Sequence, residues 1–579
     1  MEIILILTIY RYPMVGVFKN KPNSMIEKLL GDELNIPVDN YQYSWTYTHK
    51  HEIPTIKFYN KENGSFPYGL IDQVLELFKE NNIEYKIINK CPKPIFSEQD
   101  ILNKDITLNG KSTSGKYHFQ LEAANSAIKS HKGILNLSVS SGKTNIAAII
   151  FKQALPHIQD NEHIIFFTQS KEIFKQTLDD FKEIFGDDLV GSFASGKLKD
   201  GKIIVAMMQS CNALLKIDPE SGLKLTPKER QLKKIAFNVI PKIKQAQHKL
   251  IAYKAWLRFF TPKTKTDKKL KQFLEEIRDT SGDDKDLMHQ LNSLNRKWKA
   301  VINKKAKKQL AKKTFIIDFL NSCVVSIFDE CQHLTAESNY NVLINCQNCQ
   351  VAFGLSGSID PDNDLLKQRL KAIYHKIIYK RNFATNVANG VIVKPIIHFL
   401  PIYHPKDLEK YPDWLSVYDK GIVNNEYRNK LIVALTIKKI MPTKRSTLLI
   451  VNQLDHGKNL QKLFKEQGYD VKFTNGQLDK DSRQQLYEDF TNGKIKTLIS
   501  SVIYDEGVSI NNIKAVVMCA SGKSFRQTIQ RVGRSSRLGG FDDAQIFDFW
   551  DEQHRYLLKQ SQARKEVYDA QGFEVHFER

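Results

Sequence analysis

Gly133-Ile134-Leu135-Asn136-Leu137-Ser138-Val139-Ser140-Ser141-Gly142-Lys143-Thr144-Asn145-Ile146 reads as a strand, a turn of small residues and the opening of a helix. Residues 133–139 are apolar enough to be covered on both faces, as strands of parallel sheets are. Residues 145–155 have helical apolar content. Between them, Ser140, Ser141 and Gly142 are small enough for backbone N–H groups to approach an anion. A helix N-terminus behind such a turn adds positive partial charge. The ending suits a nucleoside triphosphate, with Lys143 for the β- and γ-phosphates and the Thr144 hydroxyl for Mg2+. The same triplet type recurs at Gly110-Lys111-Ser112 and Gly522-Lys523-Ser524, but only the middle copy follows an apolar strand and opens an apolar helix. Leu137 stands where the full phosphate-loop pattern has its first glycine.

The flanking chain repeats this alternation. Residues 164–168, 203–207, 324–328 and 351–355 read as buried strands, and 171–185 as a helix. The pattern predicts a doubly wound α/β sheet, with ligands at the carboxyl ends of its strands. Asp329-Glu330 follows one of those ends. Asp329 suits Mg2+, held through water, and Glu330 suits removal of a proton from an attacking water. Ser356-Gly357-Ser358 closes the next strand and either hydrogen-bonds the acidic pair or simply turns the chain. After a crossover near 381–395, a second set of strands is predicted at 447–451, 471–474, 497–501, 515–519 and 545–549. Asp505-Glu506-Gly507 follows the third of these. Gln530-Arg531-Val532-Gly533-Arg534-Ser535-Ser536-Arg537 reads as a helix with Arg534 and Arg537 on one face. Gly533 costs such a helix about 1 kcal/mol, which close approach of another lobe would explain. Arginines brought from a second lobe supply the charge compensation that a Lys and a Thr leave incomplete at a transferring phosphoryl group.

Charge is unevenly spread over the 579 residues. Residues 212–313 hold 27 of the 86 Lys and Arg but only 10 of the 64 Asp and Glu. A net +17 of the total +22 therefore sits in one helix-rich segment, with breaks at Pro241, Pro262 and Ser281-Gly282. A polyanion is the natural partner; a solvated surface is the alternative. Residues 1–110 read as a small α/β module with a buried strand at 3–9, a strand at 55–59 and a helix at 70–81. Tyr41, Tyr43, Trp45 and Tyr47 alternate as on a strand, forming a core row or, with Lys50 and His51, a base-stacking surface. Residues 103–116 read as a linker. No stretch reaches the ~18 apolar residues of a membrane span. Seven cysteines in a chain this long make no disulfide framework, so a reducing cytoplasm is expected. Cys346 and Cys349 form a lone C-x-x-C without the second pair that a zinc ribbon needs.

With these residues in place, the chain resembles the superfamily 2 helicases. The resemblance rests on 137–144 (motif I), Asp329-Glu330-Cys331-Gln332 (motif II), Ser356-Gly357-Ser358 (motif III), 504–509 (motif V) and 530–537 (motif VI). Gln332 departs from the His usual in motif II of one group, with His333 displaced by one. Phe66-Pro67-Tyr68-Gly69-Leu70, Ile134-Leu135-Asn136-Leu137, Phe353-Gly354-Leu355 and His456-Gly457-Lys458 are similar to the phage recombination helicases within that superfamily. The resemblance covers most of the chain outside 212–313.

It implies two RecA-like motor domains, at 111–380 and 381–579, behind a nucleic-acid-binding module at 1–110, with 212–313 inserted in the first motor. It implies ATP and Mg2+ as cofactors, Gln120 as an adenine-reading residue, and Gly507 and Gln530 at the nucleotide. It implies a DNA helicase or translocase remodelling branched DNA in recombination, replication and repair. Branched or duplex DNA would be the partner, with single-stranded DNA and RNA as alternatives and no membrane. A monomer or weak oligomer in a bacterial host's cytoplasm is expected. The rivals are an RNA or R-loop helicase with the same motor and a restriction-modification motor subunit, though no nuclease constellation stands outside the motor.

Overall fold

The strand at Lys132–Leu137 buries four of its six residues, on both faces of the pleat. Only a sheet covered by helices on both sides can hold such a strand. The computed structural model describes residues 6–38, 42, 45–50, 52–138, 141–218, 226–259, 262, 265–357, 359, 362–392, 394–402, 408–501, 513–520, 543–570 and 572–578. Lys132–Leu137 lies inside an eight-stranded sheet ordered Lys197–Lys199, Val190–Ala194, Ile203–Met207, His163–Thr168, Cys323–Asp329, Val351–Ser356, Lys132–Leu137, Ile377–Arg381. Neighbours are parallel except for the edge hairpin formed by the first two. Ser356 pairs with Asn136 and Asp329 with Leu355, so three strand ends lie side by side at one edge. The helices His118–Ser130 and Lys143–Ala154 pack Ala123, Ala124 and Ala127 with Ile146 and Ile150 into the core beneath that edge.

A second parallel sheet has seven strands, ordered Lys472–Thr474, Thr497–Ser501, Thr447–Val451, Ala515–Met518, Asp543–Asp551, Lys394–Ile402, Glu574–Phe577. The protein therefore has two parallel α/β sheets, as the alternating pattern predicts. The nine-residue strand Lys394–Ile402 begins where the crossover was expected to end. Its Pro395 and Pro401 mask it in the sequence.

The N-terminal module is a four-stranded sheet, ordered Ser65–Pro67, Val15–Phe18, Leu7–Arg11, Tyr85–Asn89, with helices Ser24–Leu34 and Ile71–Glu80. Three expectations change here. Trp45 and Tyr47 lie on a helix, Trp45–Lys50, so the aromatic row is not a strand there; Tyr41, Tyr43 and His51 lie outside the described residues. The strand expected at 55–59 shortens to Thr55–Ile56. The linker at 103–116 contains a small hairpin, Thr107–Leu108 with Lys111–Ser112, pinned by the buried side chains of Leu108 and Thr113. The module packs on the helix Asp364–Tyr374 beside the first parallel sheet. Gln368 donates to the Leu34 carbonyl at 3.0 Å, and His375 Nδ1 lies 3.0 Å from the Gly69 carbonyl. A Cβ on Gly69 would stand 2.1 Å from the Lys371 carbonyl oxygen, so only glycine permits this approach.

Cys211–Leu320 forms a separate compact unit whose elements among the described residues are all helices. Pro241 lies in the helix Ile240–Lys244, which follows directly on the π-helical turn Ile235–Val239, so the break expected there is a change of helix type and not a gap. Ser281-Gly282 separates Lys265–Thr280 from the 38-residue helix Asp284–Asn321. The Asp284 carboxylate accepts from the N–H groups of Lys249 and Leu250, fastening the start of Lys249–Phe259 to the start of the long helix. Ile240, Tyr253, Leu257, Leu274, Leu287 and Leu291 are buried in its core. Among the described residues no helix is long and apolar enough to cross a membrane. Cys346 and Cys349 are buried; among the described residues no three His, Cys, Asp or Glu side chains stand together as a metal site.

Candidate nucleotide-hydrolysis site

The turn after Lys132–Leu137 bends at Gly142, whose φ of +75° lies in the left-handed region. A Cβ there would also come within 2.4 Å of Gln120 Nε2. Conformation and crowding thus both demand glycine. Val139 and Ser140 lie outside the described residues. Lys143 opens the twelve-residue helix Lys143–Ala154, with half-exposed Thr144 beside it. First-turn N–H groups and a lysine at one helix end make an anion-binding arrangement.

Facing the loop is the end of Cys323–Asp329. Successive residues of a strand point to opposite faces, which would separate Asp329 from Glu330. Glu330 instead adopts φ 55° and ψ 52°, a left-handed conformation costing a non-glycine residue about 1–2 kcal/mol. Both carboxylates reach one ammonium as a result. Lys143 Nζ lies 2.9 Å from Glu330 Oε1 and 3.8 Å from Asp329 Oδ1. Backbone strain at this point fits a functional site.

The electrostatics of the three groups follow from that contact. Burial alone would lower the Lys143 pKa, but Glu330 and Asp329 outweigh it and hold the ammonium well above its ordinary range. Burial pushes the Asp329 carboxyl up, Lys143 opposing and Glu330 adding to it. Burial acts the same way on Glu330, yet Lys143 and a hydrogen bond from Gln332 bring its carboxyl below the usual value. Glu330 is therefore ionised at neutral pH and able to accept a proton.

Gln332 is completely buried on the short turn Cys331–Thr335. Its Nε2 donates to Glu330 Oε2, and its Oε1 accepts from the Ser356 hydroxyl at 2.6 Å. Ser356 thus reaches the acidic pair through Gln332 rather than directly. Arg369 holds the same turn by donating to the Leu334 carbonyl at 3.1 Å and to that of Thr335.

Gln120 lies against the loop. Its Nε2 donates to the Ser141 carbonyl at 3.0 Å, and its Oε1 accepts from Asn145 Nδ2 at 2.6 Å. Both ends of its amide brace the loop. Asn386, which sequence reasoning passed over, also reaches the loop. Its Nδ2 donates to the hydroxyls of Ser138 and Ser141, each at 2.8 Å. No local pattern marks it; only its position just after the sheet's edge strand could have drawn attention. The structure brings together Gln120, Ser141, Gly142, Lys143, Asp329 and Glu330. Gly507, Gln530, Arg534 and Arg537, like Ser140 and Ser358, lie outside the described residues.

Comparison with known proteins places two families on these lobes. Residues 116–240 match the type III restriction enzyme res subunit family, and residues 428–539 match the helicase conserved C-terminal domain. The chain is 25% identical over 233 residues to the ATP-dependent DNA helicase uvsW of Enterobacteria phage T4, covering 38% of this chain and 44% of that one. It is 22% identical over 194 residues to the ATP-dependent RNA helicase DHH1 of Coccidioides immitis, covering 29% and 38%. The crystal structure of T4 UvsW aligns over 99% of both chains at 17% identity, with a TM-score of 0.40. The chain spans less than half the length of the curated relatives it matches.

Proposed function

Because this chain resembles the superfamily 2 helicases, UvsW of phage T4 among them, we propose that it is an ATP-driven helicase or translocase that remodels branched DNA. One observation carries the chemistry: Lys143 stands between Asp329 and Glu330 at the carboxyl edge of a parallel sheet, beside a loop bent by Gly142. The donor set fits a triphosphate with Mg2+. The glycine leaves the backbone open, a lysine and a helix N-terminus meet phosphate oxygens, and the Thr144 hydroxyl and Asp329 carboxylate suit a magnesium ion that keeps most of its waters.

ATP with Mg2+ supplies the phosphoryl group to be transferred and part of the charge that neutralises it. The protein's own residues do the rest. Lys143 exchanges its Glu330 partner for phosphate oxygens. Glu330, released and held in orientation by Gln332, takes the proton of the attacking water. Arg534 and Arg537 are proposed to bring the remaining positive charge from the second lobe, and Gly507 and Gln530 to line the nucleotide there. The basic helical unit and the N-terminal module are proposed to grip the nucleic acid, whose phosphates attract the charge excess of 212–313.

An RNA-directed motor is the second reading, favoured by the similarity to an RNA helicase. The decisive assay compares ATP hydrolysis stimulated by a four-way DNA junction, linear duplex and RNA, and follows junction migration with and without ATP. Strongest stimulation by the junction, with ATP-dependent migration, is expected. Stronger stimulation by RNA would transfer the assignment to the second reading. Lys143→Ala should abolish stimulated hydrolysis in a folded protein; full activity in that variant would remove the site assignment.

A further inference from the structure

Asn386 is fully buried although it is polar, so its hydrogen bonds must account for its presence. Every polar end of its amide is used. Nδ2 donates to Ser138 Oγ and Ser141 Oγ, and Oδ1 accepts from Arg381 Nε. Alongside, the Ser138 N–H donates to the Arg381 carbonyl at 3.1 Å. The phosphate loop is thereby tied at both side chain and backbone to the segment that leaves the first sheet.

That segment leads directly into the second lobe. Asn386 belongs to the short helix Phe383–Ala388, capped by the Asn382 side chain on the Thr385 N–H. The Asn386 carbonyl accepts from Val391 N at 2.9 Å. Phe383, Val391 and Ile392 are buried in one cluster with Ile397, Phe399, Leu448 and Ile546 of the second sheet. Phe383 meets Phe573 edge to face, with ring centroids 4.8 Å apart. Phe119, one residue before the loop-bracing Gln120, joins the same cluster and carries the Arg381 guanidinium 3.9 Å above its ring. One six-residue helix thus touches the phosphate loop with its amide and the second lobe's core with its aromatic ring.

We infer that Asn386 is a positioning residue that transmits the state of the phosphate loop to the second lobe. The inference rests on the nucleotide reading of the loop. Occupation of the loop shifts the Ser138 and Ser141 hydroxyls, Asn386 follows them, and the Phe383 ring moves within the second core. The same tie runs in reverse, because coupling between two bound ligands is reciprocal. An apolar residue at 386 would pack as well but leave the lobes to respond independently.

The test uses the full chain and measures the affinities of a non-hydrolysable ATP analogue and of a fluorescent DNA duplex, each with and without the other. The ratio of these affinities is a coupling factor, roughly 5- to 150-fold in typical coupled systems. Asn386→Ala is expected to bring that factor to within about twofold of unity, with each ligand's own affinity kept within about threefold. Ser138→Ala, which removes one acceptor and leaves the second-lobe packing alone, should lower the factor partway and decides the matter if Asn386→Ala does not fold. An unchanged factor in the folded variants overturns the inference. So does a loss of analogue affinity of more than about tenfold in step with the factor, which would make Asn386 a brace for the loop and nothing more. A wild-type protein that fails to bind the analogue would sink the nucleotide reading itself, an outcome separable from the variants' behaviour.

Discussion

At the scale of single residues, Gln332 is the most exposed point of the proposed chemistry to experiment. Its hydrogen bonds go to Glu330 and Ser356, so its removal is expected to disturb the orientation of the base more than the grip on the nucleotide. Gln332→Ala is expected to lower stimulated kcat by on the order of tenfold or more, within the range that a positioned general base contributes. KM for ATP should move little, the pattern of an interaction made in the transition state. The variant should also lose about 1–3 kcal/mol of stability, because a fully buried side chain and its hydrogen bonds to Glu330 and Ser356 are removed. Steady-state kinetics and denaturant titration check both; unchanged kcat would show that Glu330 is oriented without this link. The sequence allowed Lys143, Asp329 and Glu330 to be singled out because each stands at a strand end or helix start, where local pattern is informative. It did not allow the role of Gln332 to be read. A glutamine two residues past an acidic pair acquires meaning only when a left-handed residue and a short turn aim it inward. Gln120 adds a contact of the same kind, because its hydrogen bonds to Ser141 and Asn145 follow from packing and not from its motif.

At the scale of elements, the second sheet holds its buried polar groups in a network that no periodicity announces. Arg428 is buried with Asp551 at 2.8 Å and lies over the Phe549 ring, while Arg564 pairs with Asp548 at 2.9 Å. His456, on the helix Leu454–Glu466, has its Nε2 2.9 Å from Asn429 Oδ1, and its Nδ1 has no partner among the described residues. Burial, helped by the Arg428 charge, lowers its pKa from 6.5 to about 3. The folded state therefore keeps His456 neutral, whereas the unfolded chain takes up a proton near pH 6.5. Protons favour the unfolded state between those two values, so stability falls as pH drops through that window and is fully present above it. Going from pH 7 to pH 5, this group should cost about 2 kcal/mol. Urea unfolding of the wild type and His456→Gln at both pH values isolates the effect as a difference between the two slopes; equal slopes would place His456 in solvent. Most strands of both sheets were legible because β-branched and aromatic runs of four to six residues stood between helical stretches. The alternation at Tyr41–Tyr47 misled because period two in aromatic residues is not by itself a strand; at Trp45–Lys50 the chain chose a helix.

At the scale of the whole molecule, the distribution of charge makes the sharpest claim. The long helix Asp284–Asn321 does two jobs along its length. Leu287, Leu291, Leu294 and Trp298 are buried in its first half. Beyond them Lys304, Lys307, Lys308 and Lys312 are exposed, at spacings of three and four that put them on one face. A solvated decoration has no need to collect its lysines in a stripe, and a stripe is what a phosphate backbone can follow. If the four side chains lie against phosphates, each contact releases counterions, and the slope of log affinity against log salt carries about 0.9 per contact for duplex DNA. Replacing all four by Gln removes charge while keeping good helix formers, so the fold of the unit should be preserved. The expected result is a slope shallower by about 3.6 and weaker binding at low salt, with the two proteins converging as salt rises. Fluorescence anisotropy of a labelled duplex or four-way junction across a salt series measures it, and circular dichroism confirms helicity. A slope identical to wild type would mean that this charge faces water, and the grip on nucleic acid would then have to come from the motor lobes or the N-terminal module.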